Sequence, residues 1–367
     1  MKKILISAYS MQVGGIETAL VNLLKYLSKD EENDITLVLE KNEGIFLDEI
    51  PEGIHIEENY HPIEGGNTLV RKLKNFLRRQ KFKKKYKNKF DFSASFATYS
   101  GPGSYVARIA SKNSALWVHL NYMDFFSNEA SKYKKFFGSL HAEEFKKLVF
   151  VSNYDRLVFN STIPDLSKKT ITCNNLIDYK KILKNAEEKV RDLKESSLPT
   201  FVNIGRHDEK QKKLSRIIDA AKKLSKEGYK FRVIFVGDGE ASEKYKEMCR
   251  GMQNMIFLGR KSNPYPYMKK ADCLVMSSDF EGFPVVWVEA RILDKLIITT
   301  KVSDWNSAIE KTSAGIVTDI SESGVYEGMK QFLDSIKETG TCKPAKFDAE
   351  KYNEEIKEKL QKIINGE

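Results

Sequence analysis

Short apolar runs alternate with segments whose apolar residues recur every three or four positions, and this rhythm occurs twice along the chain. In the first half, Lys3 to Ala8 reads as a strand, a glycine-containing loop follows, and Ile16 to Leu27 carries helical spacing. Further strands are expected at Ile35 to Leu39, Phe90 to Ala97, Ala115 to His119, Leu148 to Ser152 and Thr170 to Cys173. The segment Asp178 to Pro199 loses the strand pattern and is dense in Lys and Glu, so a domain boundary is expected there.

The second alternation runs through strand Phe201 to Gly205, helix Leu214 to Lys226, strand Phe231 to Val236, helix Glu240 to Cys249 and strand Met255 to Leu258. A helical Pro266 to Lys270, strand Cys273 to Ser277, a helix opening near Pro284, and strands Leu296 to Thr300 and Gly315 to Val317 follow. Two such runs predict an α/β protein with two Rossmann-like domains, each a parallel sheet with helices on both faces, meeting across a central cleft. The expected limits are residues 1–178 for the first domain, 179–199 for a linker and 200–345 for the second domain. A last helix in 346–367 can pack on either one.

Length and composition agree with this division, since 367 residues suffice for two cores and a chain 41% hydrophobic and 31% charged is of the soluble globular kind. The opening Met1 to Ala8 is basic then apolar, but the run is cut at Ser10 and is shorter than the apolar centre of a signal peptide. No stretch approaches the roughly 18 apolar residues that span a bilayer, so a cytoplasmic protein is expected. Cys173, Cys249, Cys273 and Cys342 show no paired spacing, which argues against zinc or redox motifs and for free, packed thiols. The formal net charge of +10 calls for an anionic partner without choosing among nucleic acid, lipid headgroups and phosphorylated small molecules.

Candidate chemistry gathers where predicted strands end. Val202-Asn-Ile-Gly-Arg206 puts Arg206 at a strand terminus and Lys212 just before the next helix, a fork and a point charge suited to a diphosphate, or simply two solvated cations. In Ser277-Ser-Asp-Phe-Glu-Gly-Phe-Pro-Val-Val-Trp-Val-Glu289, two glutamates lie eight positions apart. On one continuous helix they would sit roughly 80° out of register. Pro284 is expected at the first helical position, so Glu281 falls on a loop and Glu289 in the second turn of the helix. Glu289 can accept both hydroxyls of a ribose and Glu281 those of a sugar; a helix-capping acid and a surface acid are the plainer alternative. Gly14-Gly15, between first strand and first helix, allows close backbone approach to an anion or is a simple tight turn, and is not G-x-G-x-x-G. His119 ends a strand, either as a buried core histidine or facing a ligand.

Taken in order, Gly14-Gly15-Ile-Glu17, Trp117-Val-His119, Asn175-Leu-Ile-Asp178, Gly205-Arg206 with Gln211-Lys212, Asn263-Pro-Tyr-Pro-Tyr267 and Glu281-Gly-Phe-Pro284 with Glu289 resemble glycosyltransferase family 4 over nearly the whole chain. The resemblance implies a GT-B fold and a retaining transfer, with the nucleotide sugar on the C-terminal domain and the acceptor on the N-terminal one. It further implies that Arg206 and Lys212 hold the donor diphosphate and that Glu289 holds the ribose. The donor sugar falls to Glu281 with the backbone of Gly282, Phe283 and Pro284. Gly15 approaches from the opposite domain, His119 faces the sugar ring, and the last helix crosses back to the N-terminal domain. Arg206, Lys212, Glu281 and His119 are the expected catalytic set. Three departures from the family pattern are Asp294-Lys295 where Gly-x-Pro is common, Lys213 where Gly often follows the lysine, and Asn121-Tyr122 where an acid is common. The chain has no Asp-x-Asp, so neither a metal nor another cofactor is expected, and a UDP-sugar is the favoured donor.

The run from Arg71 to Lys89 interleaves cations with Leu73, Phe76, Leu77, Phe82 and Tyr86. It reads as a basic amphipathic helix on an anionic membrane face, where a lipid-linked glycan acceptor resides, or as a plain solvated helix. Nucleic acid is not an expected partner, because no nucleic-acid-binding motif accompanies the patch. The leading expectation is a hexose or N-acetylhexosamine transferase, peripheral on the inner face of the cell membrane. A GT-B sugar-nucleotide epimerase and a non-catalytic membrane- or nucleic-acid-binding protein are the alternatives.

Overall fold

The computed structural model describes residues 1–12, 14–57, 63–340 and 343–367, which form two compact units: Met1–Ile177 with Lys351–Glu367, and Asp178–Glu350. Cys342 lies outside the described residues.

The first unit runs β1 (Lys2–Ala8), α1 (Gly15–Leu27), β2 (Asn33–Leu39), β3 (His55–Glu57), α2 (Thr68–Tyr86), β4 (Phe92–Ser95), α3 (Gly101–Ala110) and β5 (Ser114–Val118). It continues with α4 (Tyr122–Phe125), α5 (Ala130–Ser139), β6 (Lys147–Phe150), α6 (Asn153–Thr162) and β7 (Thr170–Thr172). The strands form one seven-stranded sheet in the order β3-β2-β1-β4-β5-β6-β7, and every pair is parallel. Because helices cover both faces, Ile4, Leu5 and Ile6 are all fully buried, and the strand reads as a continuous apolar run.

The second unit contains α7 (Tyr179–Asn185), β8 (Thr200–Ile204), α8 (Leu214–Lys226), β9 (Arg232–Val236), α9 (Ser242–Met248), β10 (Met255–Gly259) and α10 (Tyr265–Lys270). Then come β11 (Cys273–Val275), α11 (Val285–Ile292), β12 (Leu296–Thr300), β13 (Gly315–Thr318) and α12 (Glu322–Thr339). Its six-stranded parallel sheet has the order β10-β9-β8-β11-β12-β13. The two-residue period of the strands sorts its core: Phe201, Val233, Phe235, Val275 and Ile298 pack on one face, and Val202, Ile234, Leu274, Met276 and Ile297 on the other.

The final helix, α13 (Ala349–Asn365), belongs over most of its length to the first unit. Asn353 donates through Nδ2 to the Ile177 carbonyl at 2.8 Å and accepts the Ile177 N–H at 3.1 Å, and Asn113 donates to the Ile364 carbonyl at 2.8 Å. Ile356, Leu360 and Ile363 are buried.

Residues 179–199, expected as a linker, are instead part of the second unit. Ile182 and Leu193 are buried, and Arg232 donates to the Lys194 carbonyl at 2.6 Å. The dense charge that suggested a linker decorates the outside of a packed segment. Pro284, expected as the first helical residue, occupies the capping position with an extended backbone, and the helix opens at Val285. Helix α3 escaped the pattern because it opens on Gly-Pro-Gly, normally a turn signal; the Ser100 hydroxyl caps it by accepting the Gly103 N–H at 2.7 Å. Cys173, Cys249 and Cys273 are buried thiols, and burial pushes the Cys173 thiol up to about 12 and the Cys249 thiol up to about 11.

Candidate functional site

Strand order reverses in the second unit between β8 and β11, which places the loops after these two strands side by side at the carboxyl edge of the sheet. Those loops are 205–213 and 276–284. Arg206, Lys212 and Glu281 therefore come from one strand crevice. Arg206 and Lys212 share the single loop between β8 and α8. Crowding at this edge needs glycine: a Cβ on Gly237, whose φ is 153°, would sit 1.8 Å from the Gly205 carbonyl oxygen.

The two loops are bound tightly to each other. Asp279 donates its N–H to the Gln211 carbonyl at 2.8 Å, and the Ser277 hydroxyl reaches the Lys212 and Lys213 carbonyls at 3.0 and 2.8 Å. Arg216 pairs with Asp279 at 2.5 Å. Within this frame Lys212 Nζ lies 2.5 Å from Glu281 Oε1, which also accepts from the Ser278 hydroxyl at 2.7 Å, while Gln211 Nε2 donates to Oε2 at 3.2 Å. Glu281 is buried, so these three donors replace the water its charge has lost. Arg206 is different: its side chain is 64% exposed, with Asp208 Oδ2 at 3.3 Å and Gln211 Oε1 at 3.1 Å. It presents a guanidinium fork at the rim.

Lys213 adopts the left-handed conformation, φ 51° and ψ 46°, just before α8. The absence of a glycine here thus has a cost on the order of 1 kcal/mol in backbone strain.

After Gly282, Phe283 and Pro284 the chain enters α11, where the Trp287 N–H donates to the Pro284 carbonyl at 3.1 Å and the N–H groups before it lie at the positive end of the helix dipole. The Gly282 carbonyl is held by the Ser303 hydroxyl. Glu289 lies in the second turn, and its Oε1 accepts the Tyr265 hydroxyl at 3.0 Å. Burial pushes its carboxyl up to about 7, only partly opposed by that hydrogen bond. The eight-residue spacing thus separates two carboxylates of unlike character, one ion-paired and one desolvated.

Gly15 and His119 belong to the first unit. Gly14 is the extended residue before α1 and Gly15 its first residue, and a Cβ on Gly15 would meet nothing within 4 Å, so open space faces it. His119 follows β5 directly, against the Phe96 ring at 4.5 Å, and its ring bonds the Phe96 backbone while Nε2 has no partner. Burial lowers its pKa to about 3, so the imidazole is neutral at physiological pH.

Three neighbours were absent from the sequence-derived set: Ser278 and Gln211 beside Glu281, and Tyr265 beside Glu289. Gln211 and Tyr265 lie inside motifs that had been noticed for their resemblance only. Ser278 gave no signal, because its role comes from a three-residue return of the loop onto itself.

Residues 198–335 match the family model described as Glycosyl transferases group 1. An uncharacterized glycosyltransferase of Methanocaldococcus jannaschii is 29% identical over 160 residues, 42% of this chain, and the match spans 39% of that relative's length. The N-acetylgalactosamine-N,N'-diacetylbacillosaminyl-diphospho-undecaprenol 4-alpha-N-acetylgalactosaminyltransferase of Campylobacter jejuni is 26% identical over 353 residues, covering 92% of each chain. Among solved structures, Anabaena HepE in complex with UDP and glucose superposes with a TM-score of 0.74 at 18% identity, covering 98% of this chain and all of the other. Two parallel α/β units with these switch-point loops give the chain the GT-B fold, and its second unit matches the Glycosyl transferases group 1 model, with both of which glycosyltransferase family 4 is consistent.

Proposed function

We propose that this chain is a retaining, metal-independent transferase that moves a hexose or N-acetylhexosamine from a UDP-sugar to a growing, lipid-linked surface polysaccharide. The observation that carries this reading is the switch-point crevice in which Arg206, the Lys212–Glu281 pair and the start of α11 come together. Breaking the anomeric C–O bond leaves positive charge on the sugar and negative charge on the nucleoside diphosphate. Arg206, Lys212 and the positive end of α11 stabilise the leaving group where that charge develops. Glu281 holds donor-sugar hydroxyls with the backbone of Gly282, Phe283 and Pro284, and Glu289 holds the ribose. Gly15 is assigned to the donor's phosphate or sugar. His119, being neutral, supplies a hydrogen bond to the sugar and no proton. A retaining hydrolase-type mechanism needs two carboxyl groups roughly 5 Å apart around the sugar. With Glu289 committed to the ribose, front-side attack fits better, the departing phosphate accepting the acceptor's proton.

UDP is favoured because the HepE complex contains UDP and glucose, and a lipid-linked acceptor because the Campylobacter relative's name describes one. The described residues contain no helix long and apolar enough to cross a membrane. Access to a lipid-linked acceptor is assigned to α2, where Leu69, Val70, Leu73, Phe76 and Leu77 are all more than half exposed among lysines and arginines. The test is twofold. A thermal-shift panel of UDP-, GDP- and ADP-sugars should show the largest stabilisation with a UDP-sugar. Arg206→Ala and Glu281→Ala should each lower transfer at least a hundredfold, the order expected for a lost transition-state contact, while melting cooperatively. Full transfer in both variants would overturn the assignment.

A further inference from the structure

Half-buried Glu289 differs from Glu281 in having a tyrosine and no cation as its partner. Glu281 has Lys212 at 2.5 Å, whereas Glu289 receives the Tyr265 hydroxyl on Oε1 at 3.0 Å, and no ion pair reaches it among the described residues. A carboxylate has about four acceptor sites, so one held by a single neutral donor keeps capacity for further hydroxyls. Tyr265, in turn, is fixed before it reaches Glu289. Pro264 precedes it and Pro266 follows it, so the flanking φ angles are restrained. Its N–H donates to Asn263 Oδ1 at 3.2 Å, and Asn263 Nδ2 donates to the Asn185 carbonyl at the end of α7 at 2.9 Å. The short helix α10 is seated by buried Tyr267 and Met268.

We propose that Tyr265 is a positioning residue for nucleotide binding: its hydroxyl occupies Oε1 of Glu289, orients the carboxylate and leaves Oε2 for the vicinal diol of a nucleoside diphosphate. This rests on the assignment of Glu289 to the ribose. Tyrosine suits the task better than lysine or arginine would. A neutral donor steers the carboxylate without competing as a charge for the ligand's phosphates.

The experiment uses the full chain and isothermal titration with UDP, GDP and ADP, each compared with its 2′-deoxy form. For the nucleotide that binds wild type most tightly, Tyr265→Phe should raise Kd roughly tenfold, as for a hydrogen bond to a charged group. It should also shrink the preference for the ribo over the 2′-deoxy form while leaving the ligand-free melting temperature unchanged. Combined with Glu289→Gln, Tyr265→Phe should add no further loss, because it acts through the carboxylate. Unchanged affinity in Tyr265→Phe, equal weakening of ribo and deoxy forms, or an additive loss in the double variant would each overturn the role of Tyr265 while leaving nucleotide binding intact. Failure of all three nucleotides to bind wild type would overturn the donor reading and this proposal together.

Discussion

Glu281 and Glu289 are separated by eight positions and by very different electrostatics. Glu281 is surrounded by Lys212, Gln211 and Ser278, whereas Glu289 is half-buried and accepts one tyrosine hydroxyl. Its carboxyl, near 4.5 when unperturbed, is raised to about 7 by burial, so the folded protein binds a proton there that the unfolded chain releases. Stability from this group is fully present below about pH 4.5 and is lost as pH rises through about 7. Wild type should therefore lose on the order of 2 kcal/mol between pH 5 and pH 8 relative to Glu289→Gln, which lacks the titration. Urea unfolding of both proteins across that range checks this, and parallel pH profiles would show that Glu289 keeps an ordinary pKa. The sequence made both glutamates visible as candidates. It could not show which one would be ion-paired, because Lys212 lies 69 positions before Glu281 and meets it only through the loop contacts.

At the scale of elements, α2 buries apolar side chains at one end only, although Asn75 in its first half exchanges hydrogen bonds with the Ile63 backbone at 2.8 and 3.1 Å. Phe82 and Tyr86 are buried against Leu5, Val38 and Val106, and Glu57 accepts hydrogen bonds from the Tyr86 hydroxyl and from Lys85 at 2.5 and 2.6 Å. Its first half instead exposes Leu69, Leu73, Phe76 and Leu77, spaced as one apolar stripe and flanked by Arg71, Lys72, Lys74 and Arg78. Both aromatic anchors and exposed apolar residues had looked alike in the sequence, since each falls within the same basic run. Only packing distinguished the two ends. Leu73→Glu with Phe76→Glu should weaken sedimentation with phosphatidylglycerol vesicles at least tenfold, given that each buried apolar side chain contributes on the order of 1 kcal/mol or more. The same pair should leave cooperative unfolding intact. Vesicle binding that survives both substitutions would remove α2 as the membrane contact.

At the scale of the molecule, the chain returns at its far end to complete the unit in which it began. Ile356, Leu360 and Ile363 of α13 are buried, and Lys2 Nζ donates to Asn365 Oδ1 at 2.6 Å, joining the two ends of the chain within one unit. Ile363→Ala should cost about 2 to 5 kcal/mol, the range for a large-to-small change in a core. Hydrogen exchange should quicken in β1 and β7 while β8 and β9 keep their protection; uniform loss across both sheets would contradict two separately cored units. The sequence by itself determined most of the strands and their parallel, doubled arrangement, though not β3, α3, α5, α6 or α12, because two- and 3.6-residue periods are local properties written into each segment. It also brought forward Arg206, Lys212, Glu281 and Glu289 as candidates, since the chemistry of a residue type is equally local. Tertiary structure alone decided that residues 179–199 belong to the second unit rather than to a linker, that His119 is neutral, that Lys212 is paired and that Tyr265 holds Glu289. Each of these depends on which distant segments the fold brings within a few ångströms and on how much water it leaves between them.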